Sequence, residues 1–440
     1  MQIPDKIKES KALISKADDF KKNGDNEKAL ECYTKAIKAD AKANFAYFKR
    51  GQLLMQLERL SDAIADFNSA IALTPDFSFA YYKRALAYLE LKQYRVAIED
   101  FTKAITLNPD LNRIYEKRGY CYSVIKEFEN AITDLTQSME FDKTATAYFY
   151  RANAYFMLKN FEKAIEDYDA TIELNPDNEK AYLSRGICLT NVGEAQRASL
   201  DFDRTITLNP TSKLAYQYRA VLDIKLKYYE KAIDDIDRLI KLKIEDKKSY
   251  VSRAYCNFQL KNYEAAIADY TKAIAIDPVD DALYLNRANA RYNINNFEEA
   301  AIDYLKAVEI NSTHQVFFTV GTCYAKMENY KEAIKYFSQL IMADPKYYQA
   351  YISRGISFLK LKHYNKSLED FTLALEIKND LPQAYINRAI AFRAQDKLDD
   401  AARDFIDYLI LNPTDNKHTI QIKTWLKRNG FPYDVPVATS

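Results

Sequence analysis

Residues 78–111 read "SFAYYKRALAYLELKQYRVAIEDFTKAITLNPDL". Tyr81, Ala85 and Tyr88 fall at i, i+4 and i+7, the stripe of a helix that faces a core. Ala97, Phe101 and Ala104 repeat that spacing further on, and Pro109 follows as a stop. Two amphipathic helices are therefore expected here. Arg84 stands inside the first apolar stripe, where a guanidinium is costly unless it is paired.

The same arrangement recurs along the chain. Arg50-Gly51, Arg118-Gly119, Arg151-Ala152, Arg185-Gly186, Arg219-Ala220, Arg253-Ala254, Arg287-Ala288, Arg354-Gly355 and Arg388-Ala389 follow one another at 34 residues, with occasional steps of 33. Lys16-Ala17 and Val320-Gly321 are degenerate copies in the gaps. Twelve units result, tiling residues 10–415.

At this period the sequence resembles the tetratricopeptide repeat family. Counted within a unit, position 4 is Tyr in ten copies, position 8 is Gly or Ala in all twelve, and position 20 is Ala in all but Ser367. Proline closes seven units at position 32: Pro75, Pro109, Pro176, Pro210, Pro278, Pro345 and Pro413. The resemblance implies an all-α, right-handed superhelical α-solenoid of about twelve helix-turn-helix units plus a C-terminal capping helix. Small residues at 8 and 20 let two backbones approach, and stacked units bury faces that one unit alone leaves exposed.

An aspartate sixteen residues after each arginine is the expected partner. Arg84 with Asp100, Arg118 with Asp134 and Arg253 with Asp269 are examples, and Arg219 with Asp235 belongs to the same series. The units with Lys16 and Val320 carry Cys32 and Tyr336 at the aspartate position instead. That joint loss places the pair within one unit, as a structural clip between its two helices.

Composition excludes several function classes. The chain has 440 residues, a formal net charge of +1 and 28% charged residues. Such a balance gives no broad attraction for nucleic acid or anionic lipid. The start "MQIPDKIKES" lacks an apolar signal core, and no apolar run reaches membrane length. A cytoplasmic protein without membrane insertion is expected. Five of the eight glycines occupy position 8, and Gly24 and Gly193 fall in inter-helix turns, so seven are accounted for and no glycine-rich phosphate loop is left. His314, His363 and His418 are dispersed, with no second ligand at metal spacing. No catalytic residue, metal or cofactor is expected. Cys121, Cys188, Cys256 and Cys323 all stand at position 10 and read as small core residues of a reducing compartment.

The resemblance also implies a protein or peptide ligand on the concave face, at positions 2, 5, 9 and 12. The residues there and at the adjoining position 6 include Phe45, Phe48, Lys49, Phe79, Tyr82, Lys83, Arg113, Lys117, Tyr120, Phe149, Asn153, Phe156, Tyr255, Phe258, Asn289 and Tyr292. Co-chaperone members of the family clamp a terminal carboxylate. Arg113 and Lys117 match one element of that clamp, but Phe48, Gln52 and Lys83 replace others. Lys49, Lys83 and Lys117 instead form a ladder beside aromatics, which suits an acidic peptide with bulky side chains.

The function expected is a non-catalytic, monomeric protein–protein interaction scaffold or adaptor. A regulatory or substrate-presenting subunit of a separate enzyme, and a bacterial effector acting on host proteins, are the alternatives. Position 11 is polar in three successive units, at Asp223, Asn257 and Arg291; a local polar network, a displaced helix and a second contact site all fit. At the ends, residues 1–9 are expected as a frayed tail, 416–429 as a capping helix holding Trp425, and 430–440 as an extended tail able to reach the groove.

Overall fold

The computed structural model describes residues 3–111, 113–243 and 246–431, and its described regular structure is helical throughout. Two compact halves divide the chain, Met1–Leu222 and Asp223–Ser440. The first contains α1 (Ile3–Lys22), α2 (Asn26–Ala39), α3 (Asn44–Gln56), α4 (Leu60–Leu73), α5 (Ser78–Glu90) and α6 (Tyr94–Leu107). It continues through α7 (Arg113–Val124), α8 (Phe128–Met139), α9 (Ala145–Met157), α10 (Phe161–Leu174), α11 (Glu179–Val192) and α12 (Ala195–Leu208). The division falls within α13 (Lys213–Lys225).

The second half holds α14 (Tyr229–Lys241), α15 (Lys247–Gln259), α16 (Tyr263–Ile276), α17 (Asp281–Asn293), α18 (Phe297–Ile310) and α19 (Val316–Lys326). After these come α20 (Tyr330–Ala343), α21 (Tyr348–Lys360), α22 (Tyr364–Ile377), α23 (Pro382–Arg393), α24 (Leu398–Leu411) and α25 (Lys417–Arg428). These 25 helices among the described residues pack as helix-turn-helix pairs, with α25 as the cap.

Close approach within a pair follows from the small residues. A Cβ added to Gly119 would meet Leu135 Cγ at 2.8 Å, and one on Gly321 would meet Phe337 at 2.6 Å. The side chain at position 24 thus fills the space that position 8 leaves empty. The turn between paired helices is left-handed at position 15 in every repeat. Gly24 and Gly193 serve there, but so do Lys92, Lys126, Lys159, Lys227, Lys261 and Lys362, with Glu58, Asn295, Glu328 and Asp396. The turn closes each first helix through a backbone N–H to carbonyl bond, as from Gln93 to Tyr88.

Nine of the expected arginine–aspartate pairs close inside their repeats. Each guanidinium donates from Nε and Nη2 to both carboxylate oxygens, at 2.6–2.9 Å. Arg219 and Asp235 lie in different halves. Beneath the guanidiniums lie the tyrosines of position 4, as with Tyr81 5.4 Å from Arg84 and Tyr351 5.6 Å from Arg354.

A third bond was not foreseen. The remaining Nη1 reaches back to position 25 of the preceding repeat: Arg84 to Asn68 at 2.6 Å, Arg118 to Thr102 at 2.9 Å, Arg185 to Asp169 at 2.6 Å, Arg354 to Ser338 at 3.0 Å. Arg253 makes the same bond with Asp237. The arginine therefore clips its own helix pair and also ties it to the pair before.

Both termini differ in part from expectation. Residues 3–9, expected as frayed, belong to α1. Lysine and glutamate favour helix, Asp5 sits in the first turn, and Ser10 Oγ donates to Ala36 O at 3.0 Å, anchoring the segment. At the other end, Asn416 and Thr419 form a capping box that starts α25. Trp425 packs on Phe405 and Phe431, with ring centroids 5.2 and 6.2 Å apart. The rest of the expected C-terminal tail, 432–440, lies outside the described residues.

Candidate functional site: the inner helix face

The first helix of each pair carries the residues expected to meet a ligand, and packing divides them into two groups. Phe45 and Phe79, both at position 2, are 57% and 46% exposed, and Tyr255 is 42% exposed. These present ring surface. Phe48 does not: it is buried, 4.8 Å from Phe77 and 6.0 Å from Phe67. Expecting it to line an open groove is corrected by its burial against the second helix and closing turn of its own repeat.

The aromatics of position 12 are also tied into the fold. Phe156 meets Phe161 at 6.0 Å, Phe258 meets Tyr263 at 5.4 Å and Tyr292 meets Phe297 at 5.2 Å, each edge to face. In each case the partner opens the second helix of the same repeat, so the pair brackets the left-handed turn. Tyr82 packs on Phe101, Tyr120 lies between Tyr94 and Tyr150, and Phe149 lies against Tyr168. All six are half-buried.

Asn153 and Asn289 are held from beneath. Tyr168 donates its phenol to Asn153 Oδ1, and Tyr304 donates to Asn289 Oδ1, both at 2.6 Å. Tyr33 does the same to Asp18. Position 24 is tyrosine in these three repeats, where position 9 offers a short polar acceptor; Tyr270 opposite Tyr255 is the one further case. With the oxygen engaged, each amide still has two N–H donors to offer a ligand.

The lysine row is less uniform than its spacing suggests. Lys49 lies 3.4 Å from Asp18 and Lys117 3.4 Å from Glu116, so both have a neighbouring carboxylate. Lys83 sits over the Tyr82 ring at 5.5 Å. Lys83 also lines an open pocket of about 380 Å³ with Lys21, Gln52, Met55, Gln56, Leu86 and Glu90. Lys21, at position 12 of the first repeat, is a candidate site residue absent from those expected from the sequence; the register of Lys16-Ala17 is the signal that places it. Arg113 is exposed at the start of α7.

Position 11 resolves at Arg291 into a local polar network. Its guanidinium bonds Asp303 at 2.6 Å and Glu299 at 2.8 Å, so Asp303 is shared with Arg287. Asn257 is buried, as is Asp223. The cysteines are free and buried, and burial pushes the Cys121, Cys188 and Cys323 thiols up to about 12. Among the described residues no group of three His, Cys, Asp or Glu could hold a metal ion, and no helix is long and apolar enough to cross a membrane.

Family models described as tetratricopeptide repeat match residues 14–76, 78–111, 145–178, 248–280, 282–314 and 314–347. Together they span more than half of the chain, which belongs to the tetratricopeptide repeat family. Proteins of this family generally bind other proteins or peptides and are typically non-catalytic.

No curated protein matches the chain. Among solved structures it is similar to YrrB, described as a TPR protein with an unusual peptide-binding site, at 21% identity and TM-score 0.41, over 43% of this chain and 97% of that one. Yeast Tom70 is similar at 18% identity and TM-score 0.34, over 96% of each chain. A tetratricopeptide repeat protein from Parabacteroides merdae is similar at 21% identity and TM-score 0.39, over 56% of this chain and 98% of that one.

Proposed function

We propose that this chain is a non-catalytic interaction scaffold that holds a segment of a partner protein on the inner face of its first helices. The observation that carries this is the exposure of Phe45 and Phe79 at the same position of successive repeats. Isolated exposed aromatics are ordinary, but two in register beside the half-buried Tyr82 supply a continuous contact surface. Asn153 and Asn289, whose oxygens are held by Tyr168 and Tyr304, have N–H donors that suit the carbonyls of an extended segment. Five free, buried thiols fit a reducing compartment.

The test is affinity capture from source lysate with wild type and with a Phe45→Ala/Phe79→Ala variant, checked for unchanged helicity and melting. Loss of a stoichiometric partner from the variant alone is expected. An unchanged set of partners would remove this face from the account.

A further inference from the structure

The pocket between α1, α3 and α5 gathers like charges that the fold itself leaves uncompensated. Lys21 comes from α1, Gln52, Met55 and Gln56 from α3, and Lys83, Leu86 and Glu90 from α5. Its two ammonium groups differ from their neighbours in the row. Lys49 has Asp18 beside it, and Lys117 has Glu116. Among the described residues, Lys21 and Lys83 have no carboxylate within ion-pair distance, and Glu90 is the one acid that lines the pocket. Burial lowers the Lys21 pKa, and the positive charges of Lys49 and Lys83 lower it further, against the opposing effect of Asp18. An anion placed between Lys21 and Lys83 would relieve that repulsion.

The remaining lining narrows the chemistry. Gln52 and Gln56 add carboxamide donors within one helical turn of each other, which suits the several lone pairs of a carboxylate. Met55 and Leu86 add an apolar wall and give the pocket a dry side. We propose that this pocket takes a side-chain carboxylate of a bound partner segment, held between Lys21 and Lys83, with an adjacent apolar residue against Met55 and Leu86. The proposal rests on the inner face being a peptide-binding surface.

The same chemistry could come from a chain-terminal carboxylate, and the probes separate the two sources. Three labelled hexapeptides are titrated by fluorescence anisotropy at low and high salt. The first alternates glutamate with leucine and is acetylated and amidated. The second replaces glutamate by glutamine, and the third is that glutamine peptide with a free C-terminus. Wild type should bind the glutamate peptide roughly tenfold tighter than its glutamine counterpart at low salt, with the preference shrinking as salt rises. Lys21→Gln/Lys83→Gln, with unchanged melting, should abolish the preference while keeping the residual affinity.

Equal affinity for the two capped peptides, no binding of any, or a preference only for the free C-terminus would overturn the proposal. If the capped peptides bind equally but Phe45→Ala/Phe79→Ala weakens both, the carboxylate site fails while the groove stands. If that aromatic variant changes nothing either, the groove itself fails.

Discussion

Arg84 closes a bidentate pair with Asp100 in its own repeat and donates its remaining Nη1 to Asn68 Oδ1, 2.6 Å away in the repeat before. Each of the three guanidinium nitrogens thereby donates a hydrogen bond, which offsets the desolvation of a partly buried charge. The two contacts differ in weight. Asp100 is a buried charge, whereas Asn68 is a neutral acceptor on the exposed side.

Removing either partner should therefore give unequal losses. Asp100→Ala leaves a largely buried arginine without its carboxylate and should cost roughly 3 kcal/mol, the lower end of the range for a broken buried pair. Asn68→Ala should cost about 1 kcal/mol. Chemical denaturation of the single variants and of Arg84→Met/Asp100→Ala checks this, and the double variant should be more stable than Asp100→Ala. A loss in Asn68→Ala as large as that in Asp100→Ala would contradict the ranking.

Besides the first repeat, one internal repeat dispenses with the clip, and all its parts change together. Val320 stands for the arginine, Tyr336 for the aspartate, Leu305 for the polar residue of the preceding repeat and Phe317 for the tyrosine beneath. Val320 and Tyr336 share an apolar cluster with Leu305 and Phe317 beside them, and Tyr324 stacks on Tyr336 at 5.4 Å. Val320→Arg alone should destabilise by roughly 3–5 kcal/mol, because it buries a charge with no partner. Adding Tyr336→Asp and Leu305→Thr should recover most of that loss. Hydrogen exchange of α19 and α20 would follow both changes, and a triple variant no better protected than Val320→Arg would reject the clip as a transferable unit.

The fold was legible because it rests on period and on residue size. Glycine or alanine at position 8 and Arg84 sixteen residues before Asp100 are properties of the linear chain. The Nη1 bond was written there too, as a polar residue at position 25 before every arginine, with Leu305 before Val320. It was missed because the aspartate already accounted for the charge. The candidate site was less legible, since exposed and packed positions of one helix use the same residue types. Phe45 and Phe48 differ by three positions and both touch Phe77, yet Phe45 stays exposed while Phe48 is buried over Phe67.

The left-handed turns were invisible for a related reason. Lys92 adopts φ of 59° where Gly193 adopts 88°, and glycine is the residue that marks such a turn in a sequence. A side chain there is strained, so Lys92→Gly should stabilise by about 0.5–1 kcal/mol. Gly193→Lys should destabilise by a similar amount. A Cβ at Gly193 would meet nothing within 4 Å, so the difference isolates backbone strain from packing. Thermal melts of the two variants should move in opposite directions, and movement in the same direction would show that side-chain contacts dominate.

The buried thiols set an alkaline limit on stability. Cys188 is fully buried and its pKa is raised to about 12, whereas an unfolded cysteine titrates near 8.5. Between those values the folded state keeps a proton that the unfolded state has lost. Its contribution is fully present below about pH 8.5 and falls as pH rises towards 12, reaching a loss of about 2 kcal/mol per thiol at pH 10. Cys188→Ala places at position 10 the residue found at Ala87 and Ala154, so packing should survive the change. The gap in stability between wild type and Cys188→Ala, measured by denaturation from pH 7 to pH 10, should shift towards the variant as pH rises. A gap independent of pH would show that the thiol is not protected in the folded chain.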